Sequence, residues 1–185
     1  MDRLELITRH LDRLLTHRER IIVAIDGKCT AGKTTLASRL AEQYDCNLIH
    51  MDDFFLRPEQ RTPERYAETG GNVDYERFET EVLTPLKGGH PFSYRPFDCR
   101  TFTLSAPVSV PVKKLNIIEG SYSMHPYFGE LYSLKILLTV DAELQRQRIL
   151  ERPAFLQEQF FARWIPMENR YLEGFAIARR ADLVI

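Results

Sequence analysis

The sequence predicts an α/β fold, in which a mostly parallel sheet carries helices on both faces and has a small appended β-hairpin. Short apolar runs that are typical of buried parallel strands alternate with segments whose apolar residues recur at helical spacing. A glycine-rich turn joins the first of these runs to a helical segment. Two later segments, 92–97 and 108–112, alternate in polarity and contain prolines, which predicts an edge hairpin.

The remaining elements follow from the same patterns in chain order. Apolar residues at steps of three and four predict an amphipathic helix over residues 2–18. A β-branched run predicts a buried strand at 21–25, and helix-forming residues predict a helix over 34–44. Further strands are predicted at 47–50, 115–118, 134–140 and 182–185. Further helices are predicted at 74–87, 142–152 and 155–175, the last interrupted near Pro166.

Composition and charge argue against several classes of protein. The 185 residues are 44% apolar with a formal net charge of −1, which fits a globular domain and offers no basic platform for nucleic acid. No apolar run approaches the roughly 18 residues of a membrane span. The three cysteines, Cys29, Cys46 and Cys99, are odd in number and widely spaced, which argues against a disulfide framework or a zinc site. We expect a cytoplasmic protein without nucleic-acid or membrane partners; a homo-oligomer is left open.

Residues 27–34 match the phosphate-binding loop pattern G-x-x-x-x-G-K-[ST] and lie between a predicted strand and a predicted helix. The glycines let the backbone curl so that N–H groups point at phosphate oxygens, and the helix N-terminus adds positive charge. Lys33 supplies a cation for the β- and γ-phosphates, and Thr34 offers a hydroxyl to Mg²⁺. The residues predicted to bind ATP and Mg²⁺ are Gly27, Lys28, Cys29, Thr30, Ala31, Gly32, Lys33, Thr34 and Thr35. The alternative is a glycine turn before an ordinary helix, with Lys33 in solvent.

Acidic residues follow two of the predicted strands. Asp52 and Asp53 come after the strand at 47–50, and Glu119 comes directly after the strand at 115–118. Ligands of parallel sheets gather beyond the carboxyl ends of the strands, where a carboxylate can hold Mg²⁺ or accept the proton of an attacking hydroxyl. We therefore assign Glu119 to the metal and Asp52 to the base. The alternative is that Asp52 or Asp53 caps the next segment.

Positive charge is concentrated in and after the predicted helix 142–152. Arg148 and Arg152 are one helical turn apart and share a face of that helix. Phosphoryl transfer is promoted by positive charge held against the transferring oxygens, so both arginines are candidate catalytic residues. The alternative is a solvated helix surface on which they pair with neighbouring glutamates.

This ordered set of motifs resembles the uridine kinase-like branch of the P-loop kinases, which also includes nicotinamide riboside kinases, phosphoribulokinase and type I pantothenate kinases. The likeness covers most of residues 21–185 and rests on the segments 27–34, 52–55, 72–74, 119–121 and 181–185. It implies the P-loop NTPase fold in a single domain over residues 1–185. It also implies an acceptor-site insertion at about 54–112 and a lid at about 152–165.

The resemblance implies a role for each matching residue. Asp52 corresponds to the aspartate that receives the proton of the attacked hydroxyl, while Thr34 and Glu119 match the magnesium-binding positions. Asp74 matches an aspartate that grips ribose hydroxyls in the nucleoside-phosphorylating members. With the loop lysine, the candidate catalytic residues are Asp52, Lys33, Arg148 and Arg152. The candidate acceptor residues are Asp74, Phe54, Tyr66, Phe97 and Arg100.

The sequence departs from the uridine kinase pattern where the pyrimidine is read. Phe97 stands in place of a tyrosine, and Phe102 is the nearest equivalent of the histidine that reads the base. A pocket without that polar residue has little reason to prefer uracil. The lid is also shorter than in typical members.

We therefore expect an ATP- and Mg²⁺-dependent kinase that transfers the γ-phosphoryl group to a hydroxyl of a small acceptor, with a nucleoside as the first candidate. The alternative acceptors are nicotinamide riboside, pantothenate or another small alcohol. A nucleotide-binding regulatory switch is an alternative of another class, and it would need a partner surface at 54–102 in place of a pocket.

Overall fold

The computed structural model describes residues 2–185, and its centre is a parallel sheet. The strands within those residues are β1 (Ile21–Gly27), β2 (Cys46–His50), β3 (Phe92–Tyr94), β4 (Phe97–Asp98), β5 (Thr103–Leu104), β6 (Val108–Val110), β7 (Leu115–Glu119), β8 (Leu134–Leu138) and β9 (Leu183–Val184). Five of them form one all-parallel sheet in the order β2, β7, β1, β8, β9. The predicted α/β fold is confirmed, with β1 in the middle of the sheet.

The helices surround this sheet. In the same part of the chain they are α1 (Arg3–His17), α2 (Lys33–Gln43), α3 (Pro63–Ala67), α4 (Tyr75–Phe78), α5 (Thr84–Gly88), α6 (Ala142–Leu150), α7 (Ala154–Gln159), α8 (Ile165–Gly174) and α9 (Ile177–Arg180). No helix between residues 2 and 185 is both long and apolar enough to cross a membrane.

Burial on both faces of the sheet explains why residues 21–25 of the central strand are all apolar. Successive side chains of a strand point to opposite faces of the sheet. Ile21 and Val23 of β1 therefore pack in one cluster with buried residues of α1 and α2. Ile22 and Ala24 pack in a second cluster with buried residues of α4, α8 and α9 on the other face. Helices thus cover both faces, and each position of β1 is buried.

Two prolines lie inside long helical stretches, and each follows a π-helical turn. Pro85 is in the first turn of α5, after the π turn Glu79–Leu83, and Pro166 is in the first turn of α8, after the π turn Phe160–Trp164. A proline has no N–H, and in a regular helix its ring collides with the carbonyl of the preceding turn. A π turn relieves this collision by widening the backbone. The interruption predicted near Pro166 is therefore a π turn, and the helical segment continues beyond it.

The middle of the chain adds two small antiparallel ribbons. β3 pairs with β6, so that Phe92 lies opposite Val110, and the predicted hairpin is confirmed. β4 pairs with β5, and the turn between them carries Cys99, Arg100 and Phe102. Both ribbons belong to the segment 54–112, which lies beside the carboxyl end of β2.

A buried histidine lies in an aromatic cluster packed against α8. The His125 ring stacks on Tyr75 with ring centroids 4.9 Å apart, and it lies 6.0 Å from the nearly parallel ring of Tyr171. Its Nδ1 accepts a hydrogen bond from the backbone N–H of Tyr127 at 3.1 Å, which leaves the proton of the neutral ring on Nε2. Burial lowers the pKa of His125 to about 4. The fold therefore holds this imidazole in its neutral form.

We predict that His125 makes the fold lose stability as the pH falls. In an unfolded chain a histidine binds a proton near pH 6.5, but His125 in the fold does so only near pH 4, so protonation between these values favours unfolding. Between pH 7 and about pH 4.5 this group should lower the free energy of unfolding by about 2–3 kcal/mol.

Urea unfolding at the two pH values measures this loss. His125→Asn keeps an acceptor for the Tyr127 N–H but removes the titrating ring, so its pH dependence should be smaller by that amount. The control is His10→Asn on the exposed side of α1, which should keep the wild-type pH profile. An unchanged profile in His125→Asn would contradict the prediction.

Candidate active site

The parallel register brings the carboxyl ends of three strands to one level. Ile25 of β1 pairs with Glu119 of β7, and Glu119 pairs with His50 of β2. The segments that follow these strands line one cavity with a volume of about 1560 Å³. A site for a single small ligand has roughly 300–1,000 Å³, so this cavity has room for two ligands side by side.

The phosphate loop leaves β1 through a glycine that a larger residue could not replace. Gly27 has a φ of 143°, and a Cβ there would lie 2.2 Å from the carbonyl oxygen of Leu138 on β8. Gly32 has a φ of 94° and is the N-cap of α2. Residues 29–35 line the cavity, whereas Gly27 and Lys28 lie at the base of the loop.

The Lys33 side chain lies beneath its own loop. Its Nζ donates to the carbonyl oxygens of Gly27 at 2.8 Å and Lys28 at 2.9 Å, and to Ser121 Oγ at 3.2 Å. These three acceptors match the three N–H donors of an ammonium group, and the side chain is buried. Lys33 is therefore held at the cavity wall and does not point into solvent.

Glu119 lies between a hydroxyl and an imidazole. Thr34 Oγ1 is 3.2 and 3.3 Å from its two carboxylate oxygens, and His50 Nδ1 is 2.5 Å from Oε1. The hydrogen bond to Glu119 raises the pKa of His50 above its ordinary value. A hydroxyl beside a carboxylate fits Mg²⁺, which takes few protein oxygens and completes its shell with phosphates and water. Within residues 2–185, no three His, Cys, Asp or Glu side chains form a metal site by themselves.

The two aspartates after β2 have different surroundings. Both belong to the 3₁₀ turn Met51–Phe54, whose N-cap is His50, so neither is the cap of this turn. Asp52 lines the cavity, and Asp53 does not. The Asp53 carboxylate instead accepts a hydrogen bond from the Tyr94 hydroxyl at 2.9 Å. The structure thus separates a carboxylate that faces the cavity from one that supports the turn.

Asp52 has the surroundings of a proton acceptor. Its side chain is open to water within the cavity, although the cavity walls screen it from bulk solvent. This enclosure, and then the charge of Glu119, raise the pKa of the Asp52 carboxyl, while the charges of Lys33 and His50 oppose the rise. A carboxylate with a higher pKa is a stronger base toward the proton of an alcohol.

Asp26 joins three walls of the cavity, and it was not predicted as a site residue. Its Oδ1 accepts from the backbone N–H groups of Gly27 at 2.6 Å and Tyr122 at 3.2 Å. Its Oδ2 accepts from the N–H of Met124 at 2.8 Å and the hydroxyl of Tyr171 at 2.7 Å. Burial raises the pKa of this carboxyl, and the hydrogen bonds oppose the rise. The sequence feature that could have identified it is a single carboxylate directly after the apolar run of β1.

Glu168 of α8 reaches across to the phosphate loop. Its carboxylate accepts hydrogen bonds from the Cys29 N–H and from Ser121 Oγ, both at 2.8 Å. The side chain is buried, so the helix after the predicted lid is tied directly to the loop. Cys29 and Glu168 are 139 residues apart, and nothing local distinguishes Glu168 from a surface glutamate in the sequence.

The structure brings both predicted arginines to the cavity wall. Arg148 Nη1 donates to the carbonyl oxygen of Thr30 at 2.7 Å. The Arg152 guanidinium lies 5.5 Å from the centre of the ring of Phe160, the first residue of the π turn Phe160–Trp164. This side of the cavity therefore places positive charge next to the phosphate loop.

The predicted acceptor residues fall into two groups. Tyr66 and Arg100 line the cavity, but Phe54, Phe97 and Asp74 do not. The two phenylalanines are buried, because the transfer of a large apolar ring from water to the core stabilises the fold. The structure therefore does not place these three side chains in the predicted acceptor pocket.

Asp74 is occupied by the backbone and by two arginines. It is the N-cap of α4, and its Oδ1 accepts the backbone N–H of Arg77 at 3.1 Å. Its Oδ2 lies 3.5 Å from Arg57 Nε and 3.6 Å from Arg77 Nε. These are ion-pair distances, and within residues 2–185 Oδ2 has no hydrogen-bond partner, so the two positive charges are what offset the burial of this carboxylate.

Comparison with solved structures finds the same fold. A structure described as a possible uridine kinase from Bacillus stearothermophilus has a TM-score of 0.71 and 23% identity, covering 98% of this chain and 99% of its own. A structure described as a candidate fructose transport system kinase from Silicibacter sp. TM1040 has a TM-score of 0.70 and 23% identity, covering 100% and 99%. The predicted resemblance to uridine kinase-like P-loop kinases is confirmed in the fold.

Sequence comparison adds a shorter likeness. The family model of shikimate kinase matches residues 29–90, which is less than half of the chain. No curated protein matches the sequence. One fold serves many substrates, so these likenesses show a P-loop kinase fold and leave the acceptor to be argued from the site.

We predict that Tyr171→Phe destabilises the fold by about 1–3 kcal/mol, because it removes a donor from the buried Asp26 carboxylate. The matched control is Tyr132→Phe, whose hydroxyl donates to the neutral carbonyl of Ser123. This control should lose only about 1 kcal/mol. Urea denaturation measures both losses. A control that loses as much as Tyr171→Phe would contradict the role given to Asp26.

Proposed function

We propose that this chain, which has the fold of the P-loop kinases, is an ATP- and Mg²⁺-dependent kinase that phosphorylates a hydroxyl of a small acceptor. The observation that carries the proposal is one cavity lined by both the phosphate loop with Lys33 and the carboxylate of Asp52. A phosphate loop alone serves many nucleotidases. A base in the same cavity can take the proton of a bound hydroxyl, so that this hydroxyl, and not bulk water, receives the γ-phosphoryl group.

The transfer is a single displacement at phosphorus. The acceptor oxygen attacks the γ-phosphorus, the bond from that phosphorus to the β–γ bridging oxygen breaks, and ADP leaves with the electron pair. Asp52 takes the proton of the acceptor hydroxyl. The loop N–H groups, Lys33 and the arginines Arg148 and Arg152 stabilise negative charge on the phosphate oxygens.

Thr34 and Glu119 are the residues that would hold Mg²⁺. The bound ion would neutralise negative charge on the phosphate oxygens. His50 donates to Glu119 and so fixes the orientation of this carboxylate, which is the role of a positioning residue.

The acceptor is a small molecule with a free hydroxyl, and a nucleoside is the candidate that the sequence favours. The likeness to a possible uridine kinase supports a small-molecule kinase, and so does the partial match to shikimate kinase. The positions of Asp74 and Phe97 outside the cavity weaken the nucleoside candidate. Nicotinamide riboside, pantothenate and other small alcohols are the alternative acceptors.

We predict that γ-labelled ATP transfers its label to at least one hydroxyl compound in a panel of uridine, nicotinamide riboside, pantothenate, fructose and shikimate. Chromatography of the products measures the transfer. The opposite result is an unlabelled panel together with nucleotide-dependent capture of a protein partner, which would favour the regulatory switch.

We predict that Asp52→Asn lowers kcat by about 10²–10⁴, because the acceptor hydroxyl loses its base. ATP affinity should stay close to that of the wild type, since Asp52 does not belong to the phosphate loop. The matched control is Asp53→Asn, which makes the same chemical change in a carboxylate outside the cavity. Turnover with the best acceptor measures both variants. A wild-type kcat in Asp52→Asn would refute the base assignment.

A further inference from the structure

The insertion at 54–112 forms one end of the cavity, and this acceptor end is basic. Its lining side chains include Arg61, Tyr66, Asn72, Cys99, Arg100 and Phe102. In the described chain, residues 2–185, no aspartate or glutamate of the insertion lines the cavity. The carboxylate beside this end is Asp52, which the proposed chemistry uses as a base.

Arg61 is held in a defined orientation at the acceptor end. Its Nε donates to the carbonyl oxygen of Leu56 at 2.9 Å. Its guanidinium carbon lies 5.0 Å from the centre of the Phe102 ring and 5.7 Å from that of Phe97. The side chain is half-buried, so little conformational entropy remains to be lost on binding a ligand. A guanidinium fixed in this way can bind a carboxylate or phosphate through two parallel hydrogen bonds.

Two arginines of the insertion line the cavity, Arg61 and Arg100, and within residues 2–185 Arg61 is the one that lacks a carboxylate partner. Arg100 pairs with Asp98 at 3.3 Å, and its side chain is 91% exposed. Carboxylates likewise engage Arg57, Arg65 and Arg77, whereas the exposed Arg95, which does not line the cavity, donates to the carbonyl oxygens of Leu104 and Ser105. Among the ion pairs formed within residues 2–185, none involves Arg61. Within residues 2–185, the acceptor end therefore contains a fixed positive charge without a carboxylate partner.

Arg61 and Asp52 lie at the same end of the cavity. The Arg61 guanidinium lies over the ring of Phe97 on β4, and β4 packs against the 3₁₀ turn that carries Asp52. Phe102, on which Arg61 stacks, has a φ of 56° in the left-handed region and is 52% exposed. A non-glycine residue in this region is strained, and such strain is concentrated at functional sites.

We propose, on the basis of the kinase function proposed above, that the acceptor carries an anionic group, either a carboxylate or a phosphate ester, which Arg61 binds. Such a molecule would present its hydroxyl to Asp52 while its anion pairs with the guanidinium over Phe102. The site would then select its acceptor by charge, where a uridine kinase reads a base. The competing role for Arg61 is a contact to the γ-phosphoryl group of ATP, which would affect all acceptors equally.

The experiment uses pairs of compounds that share a hydroxyl frame and differ in charge. Glycerate and pantothenate have a carboxylate where glycerol and panthenol have a hydroxymethyl group, and ribose 5-phosphate has a phosphate ester on one hydroxyl of ribose. Initial rates with labelled ATP give kcat/KM for each member. Thermal shift with ADP present measures binding without transfer, so it reports on the anion site even if no phosphate moves.

The wild type should prefer the anionic member of at least one pair by about 10–100-fold, which is the range of one charge-assisted contact. Arg61→Gln should remove the preference and leave the KM for ATP unchanged. Arg61→Lys keeps the charge but not the planar fork, so it should restore part of the preference. The control is Arg13→Gln, which removes an exposed charge on α1.

The outcomes separate this inference from the proposed function. Neutral members that are phosphorylated as well as anionic ones, or an equal loss for both members in Arg61→Gln, would overturn the anion site and leave the kinase standing. Anionic members that bind through Arg61 but receive no phosphate would overturn the kinase and leave the anion site. If Arg61→Gln fails to fold, Arg61→Lys decides, because a preference that is unchanged in that variant contradicts the bidentate contact.

Discussion

The hydrogen bonds to Asp26 are the interaction on which the candidate site most depends. This buried carboxylate accepts donors from the base of the phosphate loop, from the segment after β7 and from α8. A buried carboxylate is unfavourable unless such donors surround it, so the acid and its partners hold one another in place. Because the donors belong to three walls of one cavity, Asp26 ties together the phosphate loop, α8 and the segment that follows Glu119.

The sheet and the phosphate loop could be predicted because their determinants are local. The apolar run of β1, the glycine at its end and Lys33 are close in sequence, and each has a conformational or chemical reason to be where it is. Because the strands are parallel, Glu119 and the segment after His50 lie at the same edge of the sheet, and this follows from the strand pattern alone. Asp26 lies next to the same local pattern, but its role depends on a hydrogen bond from Tyr171, which is 145 residues away.

The acceptor end could not be predicted to the same extent, because packing between residues distant in sequence decides which of its side chains face the cavity and which face the core. Phe54 has the chemistry of a pocket residue, yet Phe78 and Tyr94 provide it with a core site. Asp74 has the chemistry of a hydroxyl-binding residue, yet it caps α4 and faces arginines. Arg61 differs from Arg100, the other insertion arginine in the cavity, by the absence of a carboxylate partner within residues 2–185, and the sequence does not show which arginines form ion pairs.

The most direct test of the central claim follows the phosphorus atoms in solution. If the phosphate loop and Asp52 act across one cavity on a nucleotide and an alcohol, ³¹P NMR of the enzyme with ATP, Mg²⁺ and a hydroxyl compound should show one new phosphate ester for each ADP formed. ADP accompanied only by inorganic phosphate, whichever hydroxyl compound is supplied, would contradict the claim that this cavity brings an acceptor hydroxyl to the γ-phosphorus.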